Sequence, residues 1–505
     1  MASASASALL PLALLLREST DPAIFTAAVW GRVFNQRRDL SRVPFAVCNA
    51  RTASDVVAAV KLAQANNYRV SVRSGGHSWA SWSVRQDAVL IDLGDLDLPP
   101  IEEDEASSPE GPVGGLGGGG RGRIDYDERT KVVSCPPSMT GRTLNTFLSG
   151  VDGGRMFAGG HCPDVGLGGF LLQGGMGWNC KNWGWACESI ISIEVVTADA
   201  QHVHCSATEN ADLFWAARGA GPGFPGIATR FHLLTRPLQQ LYQSIYIFPI
   251  SECKSVLQTV IDVAPTADLD TEMVVVTSFT PPDSPVPTVL ANFTSFKPSL
   301  QAARAALTPL DAALLAKHPN PLTRSVCHDT SLEREYASQT AANPANHRYR
   351  NDNVYIPNSA SPDIPSLLEE AFTSLPTRQS CALWFAMNPT SRRELPDMAL
   401  SMQSDHYVAL YSVCADAADD ERCSKWVSGS MAALERHSVG SYLGDADFQV
   451  RRTKFWSDEA GERLKLVRKE WDPHGRICGF LDEGDGSGVE GLMNEFEWLE
   501  RGVVG

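Results

Sequence analysis

A chain of 505 residues, 43% hydrophobic and 20% charged, is long enough for two or three hydrophobic cores and too apolar to be disordered or fibrous. A formal charge of −16 leaves no basic surface for a phosphate backbone, which excludes nucleic acid as a partner. No apolar run reaches the roughly eighteen residues that a membrane-spanning helix needs. The twelve cysteines lack close regular spacing and do not read as a disulfide framework in a chain of this length.

The nine-residue apolar run Ala8 to Leu16 near the N-terminus has the length of a signal core. It has no preceding Lys or Arg, contains Pro11 and is followed by no clear small-residue cleavage pattern. A short helix or tail, and with it a cytoplasmic location, is therefore preferred over secretion, which stays open. The sequon Asn292-Phe-Thr294 matters only if the chain is secreted. Asp21 to Asn35 reads as a helix capped at Ser19 or Asp21, and Phe45 to Cys48 as a strand. The amphipathic spacing from Ser54 predicts a second helix, which leads into the alternating stretch Arg69-Val-Ser-Val-Arg73. Strand, helix and strand form a βαβ unit that delivers Ser74-Gly75-Gly76-His77-Ser78 to a sheet edge. Two glycines there allow positive φ, so consecutive N–H groups can converge on an anion.

Val89 to Leu93 is a further strand. Pro99 to Arg123 is rich in acid, proline and glycine and nearly free of large apolar residues, so it reads as a mobile insertion; no Lys-Ser/Thr follows that would make it a phosphate loop. Ile124 to Pro136 reads as a strand and Thr140 to Ser149 as a helix. Phe157 to Gly177 then places eight glycines among apolar side chains within twenty-one residues, which is not linker composition. Backbone there must press against something flat or large. Cys180 and Cys187 read as buried thiols, and His202-Val-His204 as a strand rather than a metal site, because no third ligand is identifiable. No metal is expected. Ile190 to Thr197 is a strand and Asn210 to Arg218 a capped helix. Beyond Pro237 come longer helices (Leu300 to Lys317, Pro365 to Ser374, Cys423 to His437) between strands such as Met273 to Phe279 and Ala382 to Met387, which argues an α+β domain separate from the first. Ala460 to Lys469 is a last helix, stopped before Pro473.

Phe34-Asn-Gln-Arg, Val72-Arg-Ser-Gly-Gly-His-Ser, Gly160-His-Cys-Pro-Asp-Val-Gly-Leu-Gly-Gly, Gly174-Gly-Met-Gly, Glu194-Val-Val-Thr-Ala-Asp, Asn210-Ala-Asp-Leu-Phe-Trp-Ala-Ala-Arg-Gly and Trp471-Asp-Pro together resemble FAD-linked oxidases of the vanillyl-alcohol oxidase superfamily. The resemblance points to the branch with berberine bridge enzyme-like proteins and 6-hydroxynicotine oxidases, over about residues 34–237 and 442–480. It implies an α+β fold: a two-subdomain PCMH-type FAD-binding domain over 41–238 after an N-terminal tail and helix, and a substrate domain over 239–441 with a helix-covered sheet. A C-terminal segment, 442–505, is expected to return to the FAD domain.

A flavin needs its pyrophosphate neutralised, a slot for its flat ring, and a donor site beside that ring. The cradle Arg73, Ser74, Gly75, Gly76, His77 and Ser78 suits the first. Gly160, Gly166, Gly168, Gly169, Gly174, Gly175 and Gly177 suit the second as a wall without Cβ atoms. The resemblance adds Val195 and Ile227 to the cofactor-binding set. In the family a histidine at the place of His77 bonds the flavin 8-methyl carbon, a cysteine at the place of Cys162 bonds C6, and valine at the place of Val165 goes with access of dioxygen. FAD held covalently by His77, and by Cys162 as well, is the expectation, with a small-molecule substrate, dioxygen as acceptor and hydrogen peroxide as product.

The chain departs from the family where Phe170 follows Gly168-Gly169 in place of histidine, where Gly219 to Gly226 modifies the usual turn, and where Tyr442-Leu-Gly-Asp-Ala-Asp447 stands for Tyr-x-Asn-Tyr-x-Asp. The asparagine and the second tyrosine of that last motif are absent here. Tyr355, Tyr407, Tyr411 and Tyr442 are the candidate catalytic residues, as phenols whose pKa a flavin site could depress; the competing reading is aromatic core. A dehydrogenase with another acceptor and a binding protein without turnover are the alternatives.

Overall fold

The computed structural model describes residues 13–97, 123–359, 363–387, 390–447, 451 and 453–479. Nearly all of the acidic and glycine-rich insertion, and the N-terminal run as far as Leu12, lie outside these residues.

The first layer is a four-stranded sheet in the order Leu14–Leu16, Ala46–Asn49, Val89–Asp92, Val70–Arg73. Its last three strands are parallel, joined through the helix Ala53–Ala65, as the βαβ pattern requires. Thr52 caps that helix in a capping box with Asp55. The end of the N-terminal apolar run is thus a strand, antiparallel to Ala46–Cys48, and not a helix. The cradle strand Val70–Arg73 lies at the sheet edge. The C-terminal segment covers that edge: the Val70 amide donates to the Arg476 carbonyl at 2.7 Å, and the Cys478 amide to the Val70 carbonyl at 2.8 Å.

Five antiparallel strands form the second sheet, in the order Asp125–Asp127, Val132–Cys135, Gly226–Leu234, Ile190–Thr197, His202–Ser206. The single strand expected from Ile124 to Pro136 is a hairpin. Asp127 Oδ1 accepts from the Arg129 and Thr130 amides, and Lys131 takes φ +60°, which reverses the chain. The helix at 211–216 is not capped by Asn210, which sits at φ 45° with its amide turned to the His204 carbonyl. The first helix, Pro22–Trp30, does carry its Asp21 cap, but it ends short of Asn35 because Phe34 and Asn35 are drawn onto the cradle turn.

A seven-stranded antiparallel sheet spans Leu241 to Cys414, with Thr271–Ser278, Cys381–Ala386, His406–Cys414 and Arg348–Ile356 as consecutive neighbours. The side-chain period of two divides it cleanly. Val354, Ile356, Ala382, Trp384, Val408 and Leu410 face the helices Cys253–Val263, Leu300–Lys317, Ile364–Thr373 and Asp420–Glu435 in one core. Tyr355, Phe385, Tyr407 and Ala409 face the other way and join the core of the five-stranded sheet. The register sets Tyr355, Tyr407 and Phe385 in one row across three strands, and Asn351, Tyr411 and Cys381 in another.

Candidate active site

The two glycine segments meet backbone to backbone. A Cβ on Gly75 would lie 2.6 Å from the Gly166 nitrogen, and one on Gly166 would lie 2.7 Å from the Gly75 nitrogen, so neither position admits a side chain without displacement. Gly76 takes φ +76° and gives its carbonyl to the Phe34 amide at 3.0 Å. None of the amides of Gly75, Gly76, His77 and Ser78 donates to another backbone group among the described residues. That turn therefore offers the N–H cluster an anion needs.

Arg73 sits apart from this cluster. Its guanidinium is buried on Asp92 (2.6 Å) and on the carbonyls of Val29 and Ala28, so its side chain braces the strand. Arg32 closes the same knot, pairing with Asp92 and donating to the Ser74 carbonyl at 2.5 Å. Ser78 Oγ accepts from the Trp82 amide at 3.3 Å. The expected glycine wall is mostly protein against protein: Gly168 lies on Pro137 and Ser74, Gly174 on Leu400, Gly175 on Phe170 and Ala186, Gly177 on the Ala158 carbonyl, and Gly160 under the Phe170 ring. Gly169 alone of the set faces open space. Val165 is partly exposed. Val195 and Ile227 are fully buried, each in a different hydrophobic core, so their side chains are spent on packing.

His77 stacks on Phe34, with ring centroids 4.9 Å apart and planes at 18°. Burial lowers its pKa to about 4, and the charge of Asp164, two residues after Cys162, opposes that only partly. The imidazole is neutral and nucleophilic at pH 7. Burial pushes the Cys162 thiol the other way, up to about 12, helped by the negative charges of Asp445 and Asp164.

Beside Cys162 stands a residue that the sequence reading did not single out. Asp445 lies on the short turn Leu443–Asp445, which the sheet holds through Asn353: its side chain donates to the Tyr442 carbonyl at 2.8 Å and accepts from the Tyr442 amide at 2.7 Å. The Tyr407 hydroxyl donates to Asp445 Oδ2 at 2.6 Å, and Tyr411 and Trp79 face the same carboxyl and favour its anion. Burial outweighs these donors and raises the Asp445 pKa above the usual carboxylate range. Asp445 occupies the place of the second tyrosine in the family pattern, which was the available signal. Gly444, where that pattern has asparagine, lets the Tyr442 ring fold close: a Cβ would be 2.5 Å from the phenol oxygen.

All four tyrosines lie in this region, but none has a depressed pKa. Burial, with the charge of Asp445 adding to it, raises Tyr355, Tyr407, Tyr411 and Tyr442 well above the ordinary phenol value. Tyr407 and Tyr411 serve as hydrogen-bond donors to Asp445, and all four keep their phenol protons in this structure. Tyr442 Oη accepts the Met176 amide at 3.0 Å, and the Tyr355 hydroxyl has no partner among the described residues. His161 completes the group. Burial pulls its pKa down, but Glu272, itself buried and 3.0 Å away, prevails and raises it.

His202 and His232 both pair with Glu194, at 3.3 and 3.5 Å, which gives the histidine triplet a structural partner. Cys180 and Cys187 are buried thiols in the core. A cleft of about 980 Å³ opens elsewhere, between Ser391–Asp405 and Lys454–Arg463, and is lined by none of the candidate catalytic or cofactor-binding residues.

The arrangement brings together free turn amides suited to an anion, a neutral imidazole and a thiol on adjoining segments, and a buried carboxyl. Residues 44–107 and 120–206 match the FAD binding domain family. The chain is 36% identical to the FAD-linked oxidoreductase ptmO of Penicillium ochrochloron over 453 residues, which cover 89% of this chain and 93% of that protein. In fold it is similar to BBE-like 1 of Physcomitrella patens (TM-score 0.75, 15% identity, 94% and 98% of the two chains) and to the glucooligosaccharide oxidase of Acremonium strictum, whose structure is described as revealing a novel flavinylation (TM-score 0.69, 20% identity, 92% and 94%). The chain belongs to the FAD-linked oxidoreductases of the vanillyl-alcohol oxidase and PCMH superfamily, and it shares its fold with berberine bridge enzyme-like and 6-hydroxynicotine oxidase structures. It is an FAD-linked oxidoreductase with an α+β, PCMH-type fold.

Proposed function

We propose that this enzyme is an oxidase of a small secondary metabolite, oxidising an alcohol, amine or C–H position, with FAD bonded to His77 and Cys162, dioxygen as acceptor and hydrogen peroxide as product. The observation that carries the reading is Asp445: a buried carboxyl held by Tyr407, beside Cys162, where a substrate losing hydride must also lose a proton. FAD, when bound, supplies the hydride acceptor.

The chain's own residues do the rest. The amides of Gly75 to Ser78 take the pyrophosphate charge, and Gly169 leaves room for the ring. His77 is ready to bond as a neutral imidazole. Cys162 must first lose its proton, and Asp445, whose charge it feels, is the neighbouring base. In turnover Asp445 accepts the substrate proton while Tyr407, Tyr411 and Trp79 hold its anion in place. His161, whose pKa the neighbouring Glu272 raises against the effect of burial, favours that anion when protonated. Tyr355 and Tyr442 wall the substrate space, and Val165 borders the path of dioxygen.

Anaerobic mixing with a panel of alcohols and amines, followed by admission of air, tests this. Bleaching of the flavin by one of them, then stoichiometric peroxide as the colour returns, is the expected result. Rapid reoxidation by dyes but not by air assigns a dehydrogenase instead.

A further inference from the structure

Phe34 grips the cradle turn at two points. Its amide donates to the Gly76 carbonyl at 3.0 Å, and its ring lies flat on the next residue's imidazole, 4.9 Å from His77 at 18°. The ring is fixed in turn by Tyr349 (5.3 Å, 40°) and by the edge contact with Trp79 (6.1 Å, 71°). Asn35 then ties this unit to the seven-stranded sheet. Its side chain donates to the carbonyls of Trp79 (2.8 Å) and Tyr349 (3.0 Å) and accepts from the Tyr349 amide (2.9 Å). An imidazole on a glycine turn would otherwise be free to rotate; here its plane is set by a flat partner anchored in two sheets.

We propose that Phe34 is a positioning residue for covalent attachment of the flavin: its stack on His77 fixes the direction in which the imidazole nitrogen meets the flavin 8-methyl carbon. The inference rests on the attachment at His77 proposed above. As that nitrogen bonds the carbon, one methyl C–H and the imidazole N–H are lost. Their two protons and two electrons pass to the flavin and then to dioxygen, which leaves as hydrogen peroxide. Reach and angle decide such a step, and small misplacements cost large factors. The same stack helps to exclude water from the ring, in keeping with its neutral form.

Phe34→Met keeps the apolar volume and loses the flat face, whereas Phe34→Tyr keeps both. Trypsin releases His77 in the peptide 74–85. In Phe34→Met, flavin on that peptide should fall on the order of tenfold or more relative to total bound flavin, which visible absorbance measures before digestion. Phe34→Tyr should restore it, with the thermal midpoint unchanged in both. An undiminished His77 adduct in Phe34→Met overturns the proposal. So does a parallel loss of adduct and total flavin in both variants, since Phe34 would then serve folding. A wild-type peptide 74–85 without flavin fails the attachment itself and is thereby told apart from a failure of Phe34.

Discussion

The wall that carries His77 and Cys162 is built of backbone, whereas the wall that carries Tyr407 and Tyr411 is built of side chains on a regular sheet. In the first, Gly75 and Gly166 touch through main-chain atoms, and the Arg73–Asp92–Arg32 knot holds the turn from behind. In the second, strand register alone sets Tyr355, Tyr407 and Phe385 in a row, and a separate turn drops Asp445 against them. Backbone walls tolerate no added atom; side-chain walls tolerate a change of atom but not of charge. Binding of the cofactor should therefore fail on one side and proton transfer on the other.

The largest effect falls on the side-chain wall. Asp445→Asn should lower the rate of flavin reduction by substrate by roughly 10²–10⁴-fold with FAD still bound, measured by anaerobic stopped flow. In the wild type the same rate should fall as the pH drops through the raised Asp445 pKa, because a protonated carboxyl accepts nothing. That acid limb should vanish in the variant. Next comes the backbone wall: Gly166→Ala should cost about 1–3 kcal/mol of stability and reduce bound FAD, read by thermal unfolding and by visible absorbance, with no shift of the acid limb in what remains. Smaller again is Tyr407→Phe, which removes one donor to the Asp445 anion. A hydrogen bond to a charge is worth about 1.5–3 kcal/mol, so the acid limb should move up by roughly a pH unit or more. The smallest change is Thr140→Ala, which removes the cap of the helix Gly141–Ser149 behind Gly166 and should cost about 1 kcal/mol in denaturant unfolding with no change in the pH profile.

The same division decides what the sequence disclosed. The backbone wall was legible because its chemistry is local: glycines at close spacing, with His77 and Cys162 inside the runs, state what the main chain must do there. Even so, the glycines were read as facing a ring, and most of them face protein. The side-chain wall was only half legible. Its tyrosines could be named, but their role could not, because a phenol's pKa depends on burial and on the charge of Asp445, which the fold brings in from a separate turn. Asp445 escaped notice because its position was read as the loss of a tyrosine and not as the gain of a carboxylate. The side chains of Val195 and Ile227 pack in two different cores, which leaves only their backbone groups to meet a cofactor.

Tryptic digestion of the acid-precipitated enzyme tests most directly whether both segments close on one cofactor. Cleavage at Arg73, Arg85, Arg155 and Lys181 frees His77 in the peptide 74–85 and Cys162 in the peptide 156–181. A single yellow species whose mass equals the two peptides plus one FAD, less the four hydrogens lost in forming the two bonds, is the predicted result. Two colourless peptides, with all the flavin in the acid supernatant, would contradict it.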